Sequence, residues 1–394
     1  MLNYLHMVRR QYWENQIESS WTKKNIIWLS GVRRAGKTFL CNNLPDIEYF
    51  DCELLSTRKI LEDYELFLST KNGKRLVFDE IHRLSNPAEI LKVIADHYQN
   101  VKVIATGSST LSASTKFKDT LTGRKSELWL TPMLFAETKD FGNTELEHRL
   151  LNGGLPPFFL AADFPSKDFQ EWMDAIWAKD IQELFRLERR YSFQKFLELL
   201  LNQSGSIFEA TRFAKLCEVS RGTITNYLAV LEAMFIVHVI KPFNSHKDTE
   251  IVSAPKVYGF DTGFVCHARG IARELHSEDL GLLWEHLVLN ELQGRLQTRL
   301  INYWRDKRGH EIDFVLTKKH KNVDVQIAIE CKWNGENFNS TNLEAFRRSY
   351  PEGKNFVVSP NTRQPFTRKY GNAVVSFVDL EMLINEILQS TFTI

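Results

Sequence analysis

The chain has 394 residues, enough for two or three domains of ordinary size, and its 50 Lys+Arg against 49 Asp+Glu leave a net charge of only +1. That balance excludes a uniformly basic nucleic-acid coat, though not local basic patches. The 43% hydrophobic and 25% charged residues are those of a globular protein, and no apolar run approaches the roughly 18 residues that span a bilayer.

Arg9, Arg10 and Glu14 interrupt the N-terminus before a signal-peptide core can form. Cys41, Cys52, Cys217, Cys266 and Cys331 contain no CxxC pair. The expectation is a cytoplasmic protein with isolated thiols in a reducing compartment.

In chain order, Ile26, Ile27, Trp28 and Leu29 predict a short buried parallel strand. It runs into Gly31-Val-Arg-Arg-Ala-Gly36-Lys37-Thr38, which satisfies the P-loop pattern. Gly31 and Gly36 let the backbone curl so that its N–H groups point at phosphate oxygens. Lys37 would reach the β- and γ-phosphates of ATP, and the Thr38 hydroxyl would ligate Mg²⁺. The nucleotide-contacting set is Gly31, Arg33, Arg34, Ala35, Gly36, Lys37, Thr38 and Phe39, and the helix that begins there turns its positive end to the phosphates.

A second strand pattern, Arg75-Leu-Val-Phe, ends in Asp79 and Glu80. Asp79 would hold Mg²⁺ through water, and Glu80 would orient and deprotonate the attacking water. The plainer reading is a strand followed by a helix-capping acid. A third strand, Val101-Lys-Val-Ile-Ala, ends in Thr106-Gly-Ser108. Ser108, with Thr106 next to it, is the candidate sensor of the γ-phosphate; a Ser/Gly-rich turn is the alternative.

The motifs GVRRAGKT, LVFDEIHRL, IATGSS and LTGRKSELWLTPMLFAE, within residues 20–135, resemble an AAA+ ATPase of the AAA_14/DUF4143 family. The resemblance implies an arginine supplied by a neighbouring subunit, hence a ring or other oligomer. Arg124 stands where the family places a Gly-Arg pair and is the candidate, with a solvent-facing charge as the alternative. Gly153-Gly-Leu-Pro156-Pro157 matches the family's Gly-Gly-x-Pro turn and is read as a hinge.

Residues 166–202 are helical in pattern. Residues 206–240 predict a helix-turn-helix or winged-helix unit, with a turn at Glu218-Val219 and Ser220 capping a second helix. Ile224, Tyr227, Leu228, Leu231 and Met234 should face the core. Arg221, Thr223, Thr225 and Asn226 are then left for a DNA groove, unless the module only packs against the ATPase.

Towards the C-terminus, an amphipathic helix carries Glu285 and Glu291, one strand begins near Asp313, and another ends in Glu330-Cys-Lys332. If the chain turns back at Lys321-Asn322, Asp313 falls opposite Glu330, and Lys332 shares their face. Mg²⁺ or Mn²⁺ would resolve the carboxylate repulsion and activate water, with Lys332 holding the nucleophile or phosphate. A surface salt bridge is the alternative. The arrangement resembles the PD-(D/E)xK nuclease core, closest to Holliday-junction-resolvase-like members. That resemblance implies Glu285 as the upstream metal ligand and Glu291 as its substitute. It departs in having His310-Glu311-Ile312 where a proline precedes the Asp. Arg305, Lys307, Arg308, Arg347 and Arg348 would line a nucleic-acid channel.

The expected architecture is α/β: a P-loop AAA+ parallel-sheet core over 1–150, a helical and winged-helix middle over 151–250, and a restriction-endonuclease-like α/β domain over 251–394. The expected function is ATP hydrolysis through Lys37, Asp79, Glu80 and Arg124, coupled to DNA that is cleaved with Glu285, Asp313, Glu330 and Lys332. The alternatives are an inactive nuclease fold that grips DNA and an ATP-regulated switch with a protein partner.

Overall fold

A computed structural model describes residues 8–107, 119–162, 164–177, 189–245, 254–272, 274–320 and 323–389. Two sheets organise it. The first contains β1 (Ile26–Ser30), β2 (Ile47–Asp51), β3 (Arg75–Asp79), β4 (Lys102–Ala105) and β5 (Lys125–Trp129), all parallel, in the order β2-β3-β4-β1-β5. A parallel strand covered on both faces reads as an apolar run. The central strands β1, β3 and β4 do so, with Ile26, Ile27, Leu76, Val77, Phe78, Val103 and Ile104 all inaccessible to solvent. The helices Gln11–Trp21 and Pro87–His97 contribute Trp13, Ile17, Leu91 and Ile94 to this packing.

The second sheet has nine strands. They are β6 (Ser206–Ile207), β7 (Val237–Pro242), β8 (Lys256–Gly259), β9 (Ile301–Arg305), β10 (Glu311–His320), β11 (Val323–Cys331), β12 (Asn355–Val358), β13 (Phe366–Tyr370) and β14 (Ala373–Val378). Their order is β13-β14-β12-β11-β10-β9-β7-β8-β6. The middle of the chain thus adds strands to the C-terminal sheet: Lys241 and Pro242 pair in parallel with Asn302 and Tyr303.

Between β6 and β7, the helices Ala210–Cys217 and Arg221–Ala233 meet at Glu218, which takes a left-handed conformation (φ 57°). The Ser220 hydroxyl accepts from the Thr223 N–H at 3.1 Å, a cap worth about 1 kcal/mol. Ile224, Tyr227, Leu228, Leu231 and Met234 are buried, while Arg221, Thr225 and Asn226 are exposed.

Two segments differ from their sequence reading. The Gly153–Gly154 turn is pinned, not hinge-like. A Cβ on Gly153 would stand 1.9 Å from Asp261 Oδ1, and the Gly154 N–H donates to Asp261 Oδ2 at 2.6 Å. The helix Ser277–Leu296 is buried over His286–Gly294 instead of being amphipathic. The cause is double packing: one side meets the nine-stranded sheet, and another meets the segment after β5, where Asn290 donates to Pro132 O and Gln297 exchanges hydrogen bonds with the Trp129 backbone. No helix among the described residues is long and apolar enough to cross a membrane.

Candidate nucleotide site and acid–lysine cluster

The loop after β1 turns on two glycines with positive φ, Gly31 (142°) and Gly36 (96°). At Gly31 any Cβ would stand 2.2 Å from Leu130 O, so only glycine fits. Lys37 opens the helix Lys37–Asn42 and folds back, donating to Gly31 O at 2.8 Å and Val32 O at 3.1 Å. The loop's far end is buttressed from below. The Arg10 guanidinium donates to Ala35 O at 2.8 Å and makes a two-pronged, buried pair with Glu137 at 2.7 and 2.9 Å. The Trp13 indole and the Leu134 N–H also donate to Glu137. Arg33 and Arg34 hold the loop from outside: Arg33 O accepts from the Trp172 indole at 3.2 Å, and the Arg34 guanidinium lies 6.0 Å from the Phe158 ring. Phe39 is on the first turn of the same helix.

Asp79, at the end of β3, is where the elements converge. It accepts from three hydroxyls: Thr38 at 2.9 Å, Tyr49 of β2, and Thr106 at the end of β4. Tyr49 pays for this with a hydroxyl pushed far up in pKa, by burial first and by the Asp79 carboxylate second. The next residue, Glu80, is left-handed (φ 52°), a conformation that costs a non-glycine residue about 1 kcal/mol or more. Its N–H is fixed by Thr106 Oγ1 at 3.0 Å, and its carboxylate lies 3.1 Å from His82 Nδ1. Glu80 thus leaves β3 in a strained conformation, with its half-exposed carboxylate beside His82.

Thr106 therefore stands with Asp79, while Ser108 lies outside the described residues. Arg124 does not reach this site from its own chain. Lys125 pairs with Ile26, the first residue of β1, so Arg124 sits level with Asn25 at the end of the strand opposite the loop, about 20 Å from Gly31 along the strand. There it forms a two-pronged pair with Asp96 at 2.8 and 3.2 Å. Tyr49 and Arg10 carry no motif in the sequence and emerge only from the fold, while Glu137 closes the motif LTGRKSELWLTPMLFAE without its pairing to Arg10 being legible there.

The second centre lies under the helix Ser277–Leu296. β10 and β11 pair antiparallel from Phe314↔Ile329 to His320↔Val323, a register whose next step sets Asp313 against Glu330. Lys332 Nζ is 2.7 Å from Glu330 and 3.7 Å from Asp313. Asp313 Oδ2 also accepts the Cys331 N–H at 2.7 Å. Glu285 joins from the helix, accepting from the Tyr258 hydroxyl. Burial and the neighbouring Asp313 push the Glu285 carboxyl up to about 7 and that of Glu330 up to about 8. Glu330 Oε1 is buried with no hydrogen-bond partner among the described residues. The structure adds two groups that the sequence did not single out for this cluster: Lys256 of β8, 2.5 Å from Glu311 and 3.6 Å from Glu285, and Glu311 itself. Among the described residues no three His, Cys, Asp or Glu side chains close up as a ready metal site.

Glu291 lies elsewhere on the helix, against the turn after β5, and accepts from the Phe135 N–H. Arg347 is turned inward onto four backbone carbonyls and Asn355, so it does not line a channel.

Family comparisons divide the chain along these lines. Residues 23–139 match the model described as AAA domain, residues 143–275 the domain of unknown function DUF8612, and residues 280–380 the domain of unknown function DUF4143. An uncharacterized protein of Mycobacterium tuberculosis is 26% identical over 300 residues, 73% of this chain; the match spans 66% of that relative's length. An uncharacterized protein of Methanocaldococcus jannaschii is 26% identical over 369 residues, 85% of this chain and 80% of its own. Among solved structures, the Walker-type ATPase of Pyrococcus abyssi is similar over 66% of this chain and 97% of its own, at 16% identity and a TM-score of 0.44.

Proposed function

We propose, from the match of residues 23–139 to the AAA domain model and of residues 280–380 to the DUF4143 model, that the chain binds and hydrolyses ATP at the loop of residues 31–38. The observation that carries this reading is the junction of Thr38 and Asp79, which are 41 residues apart in sequence, at 2.9 Å beside a loop that admits only glycine at its first position. Lys37 leaves the Gly31 and Val32 carbonyls to meet the phosphates, and the loop N–H groups take the oxygens that lie between. Thr38 and Asp79 are the groups that would hold Mg²⁺, which, when bound, supplies positive charge against the phosphate oxygens. Glu80, free of Asp79's hydroxyl donors, takes the proton of the attacking water. Arg124 serves only a neighbouring copy, which makes a ring or other oligomer part of the proposal.

The test is ATP turnover by the purified chain and by Lys37→Ala and Glu80→Gln. Lys37→Ala should lose both nucleotide binding and turnover. Glu80→Gln should keep binding while turnover falls about 100-fold or more. Full turnover in both variants would end the reading.

A second reading concerns the acid–lysine cluster and DNA. The unpartnered Glu330 Oε1, beside Asp313 and Lys332, favours a centre that takes a divalent cation and acts on, or grips, a phosphodiester. Nicking of supercoiled and branched DNA with Mg²⁺ or Mn²⁺ tests it. Loss in Asp313→Ala and Lys332→Ala is the expected result, and equal inertness of all three proteins leaves DNA binding as what remains to be measured.

A further inference from the structure

Two ammonium groups thread the acid cluster, and each bridges two carboxylates. Lys332 joins Glu330 to Asp313, and Lys256 joins Glu311 to Glu285. Their origins differ. Lys332 and all four carboxylates lie in the segment matching DUF4143, whereas Lys256 comes from β8, in the segment matching DUF8612. Only 6% of Lys256 is exposed, and its ammonium also lies 5.6 Å from the Tyr303 ring. At the rim, Arg305 approaches Glu311 at 3.7 Å. Even so, the cations do not satisfy every acid, since Glu330 Oε1 has no partner among the described residues. A buried carboxylate oxygen without a donor asks for positive charge.

We propose that Lys256 is a built-in counter-ion standing in the place of a divalent cation, so that the cluster accepts Mg²⁺ or Mn²⁺ only when β8 withdraws this lysine. Lys256 pairs Glu285 with Glu311, while the charge of Asp313 also bears on Glu285. Removing the ammonium frees Glu285 to complete a site with Asp313 and Glu330. The middle segment thereby gates a centre built in the C-terminal one. The inference rests on the cation reading of the cluster but needs neither DNA nor cleavage, so its failure is separate from failure of the nuclease reading.

The experiment is Mn²⁺ titration of the full chain by electron paramagnetic resonance, without nucleotide. It compares the native protein, Lys256→Met, Lys256→Gln, Lys256→Arg and Lys256→Met combined with Asp313→Asn. Lys256→Met and Lys256→Gln should bind Mn²⁺ at least about tenfold more tightly than the native chain, while Lys256→Arg, which keeps the charge, should not. The gain should vanish with Asp313→Asn, which separates this cluster from Thr38 and Asp79. Should Lys256→Met fail to fold, Lys256→Gln decides. Native affinity in both neutral variants, or a gain that survives Asp313→Asn, overturns the proposal.

Discussion

The two polar centres of this chain hold their carboxylates by different means. Asp79 is oriented by the hydroxyls of Thr38, Tyr49 and Thr106, whereas Glu285, Glu311, Asp313 and Glu330 are paired with the ammonium groups of Lys256 and Lys332, the Tyr258 hydroxyl also donating to Glu285 and the Cys331 N–H to Asp313. A hydroxyl fixes the direction of a carboxylate and leaves its charge in place. An ammonium fixes the direction and cancels the charge. At the first centre the donors to Asp79 are neutral, whereas at the second two ammonium groups stand among four carboxylates. The backbone follows the same division. The first centre carries backbone strain at Glu80, whose carboxylate meets His82, while the acid cluster lies beneath the helix Ser277–Leu296.

The largest expected effect tests this contrast directly. Asp79→Asn should lower Mg²⁺-dependent ATP turnover by about 100-fold or more, because the carboxylate's charge is what the cation needs. Asp313→Asn should leave ATP turnover within about twofold, since it lies in the other centre. Equal losses in the two variants would show that the centres work as one.

Next in size is the buttress beneath the loop. Arg10→Met would leave Glu137 buried with its guanidinium gone, and removing one partner of a buried pair costs about 3–5 kcal/mol. Denaturant unfolding should show that loss, and Glu137→Gln in the same chain should return part of it. A smaller effect is expected from Tyr49→Phe, which deletes one of Asp79's three hydroxyl donors. A hydrogen bond of about 1 kcal/mol corresponds to an approximately fivefold rise in half-saturating Mg²⁺. An unchanged requirement would assign the orientation of Asp79 to Thr38 and Thr106 alone.

What the sequence disclosed about these centres follows from the distance over which each is built. The loop from Gly31 to Thr38 and the strand ending in Asp79 are local: consecutive residues carry both the apolar pattern and the chemistry, so both were legible. The opposition of Asp313 and Glu330 was also legible, because antiparallel register follows from the place of the turn. Tyr49 was not. Its strand lies at the sheet edge with every residue half-buried, which gives β2 no apolar run to recognise. Lys256 was not, because β8 reaches the cluster only through the pairing of β7 with β9, a contact that no local pattern encodes. The helix Ser277–Leu296 misled for the same reason: its polar residues are buried against the segment after β5, so Glu291, read as the substitute metal ligand, accepts from the Phe135 N–H instead.

Glu291 supplies the smallest prediction, and it concerns how the two halves are joined. Burial pushes its carboxyl up from 4.5 to about 7. The Phe135 N–H, Arg295 and Arg149 oppose that rise, and the nearby Glu137 adds to it. Between pH 4.5 and 7 the folded chain therefore keeps a proton on Glu291 that the unfolded chain has released. This group's contribution to stability is complete below that window and is lost as pH rises through it. Glu291→Gln keeps an oxygen to accept from Phe135 but cannot ionise, so it should escape the loss. In thermal unfolding the variant and the native chain should melt close together at pH 5, about the foot of the window, with the variant ahead by a few degrees at pH 8. A difference that does not change with pH would mean that Glu291 is ionised throughout and held by Arg295 and Arg149. The joint between the turn after β5 and the buried helix would then resemble the lysine-paired cluster, not the hydroxyl-held acid.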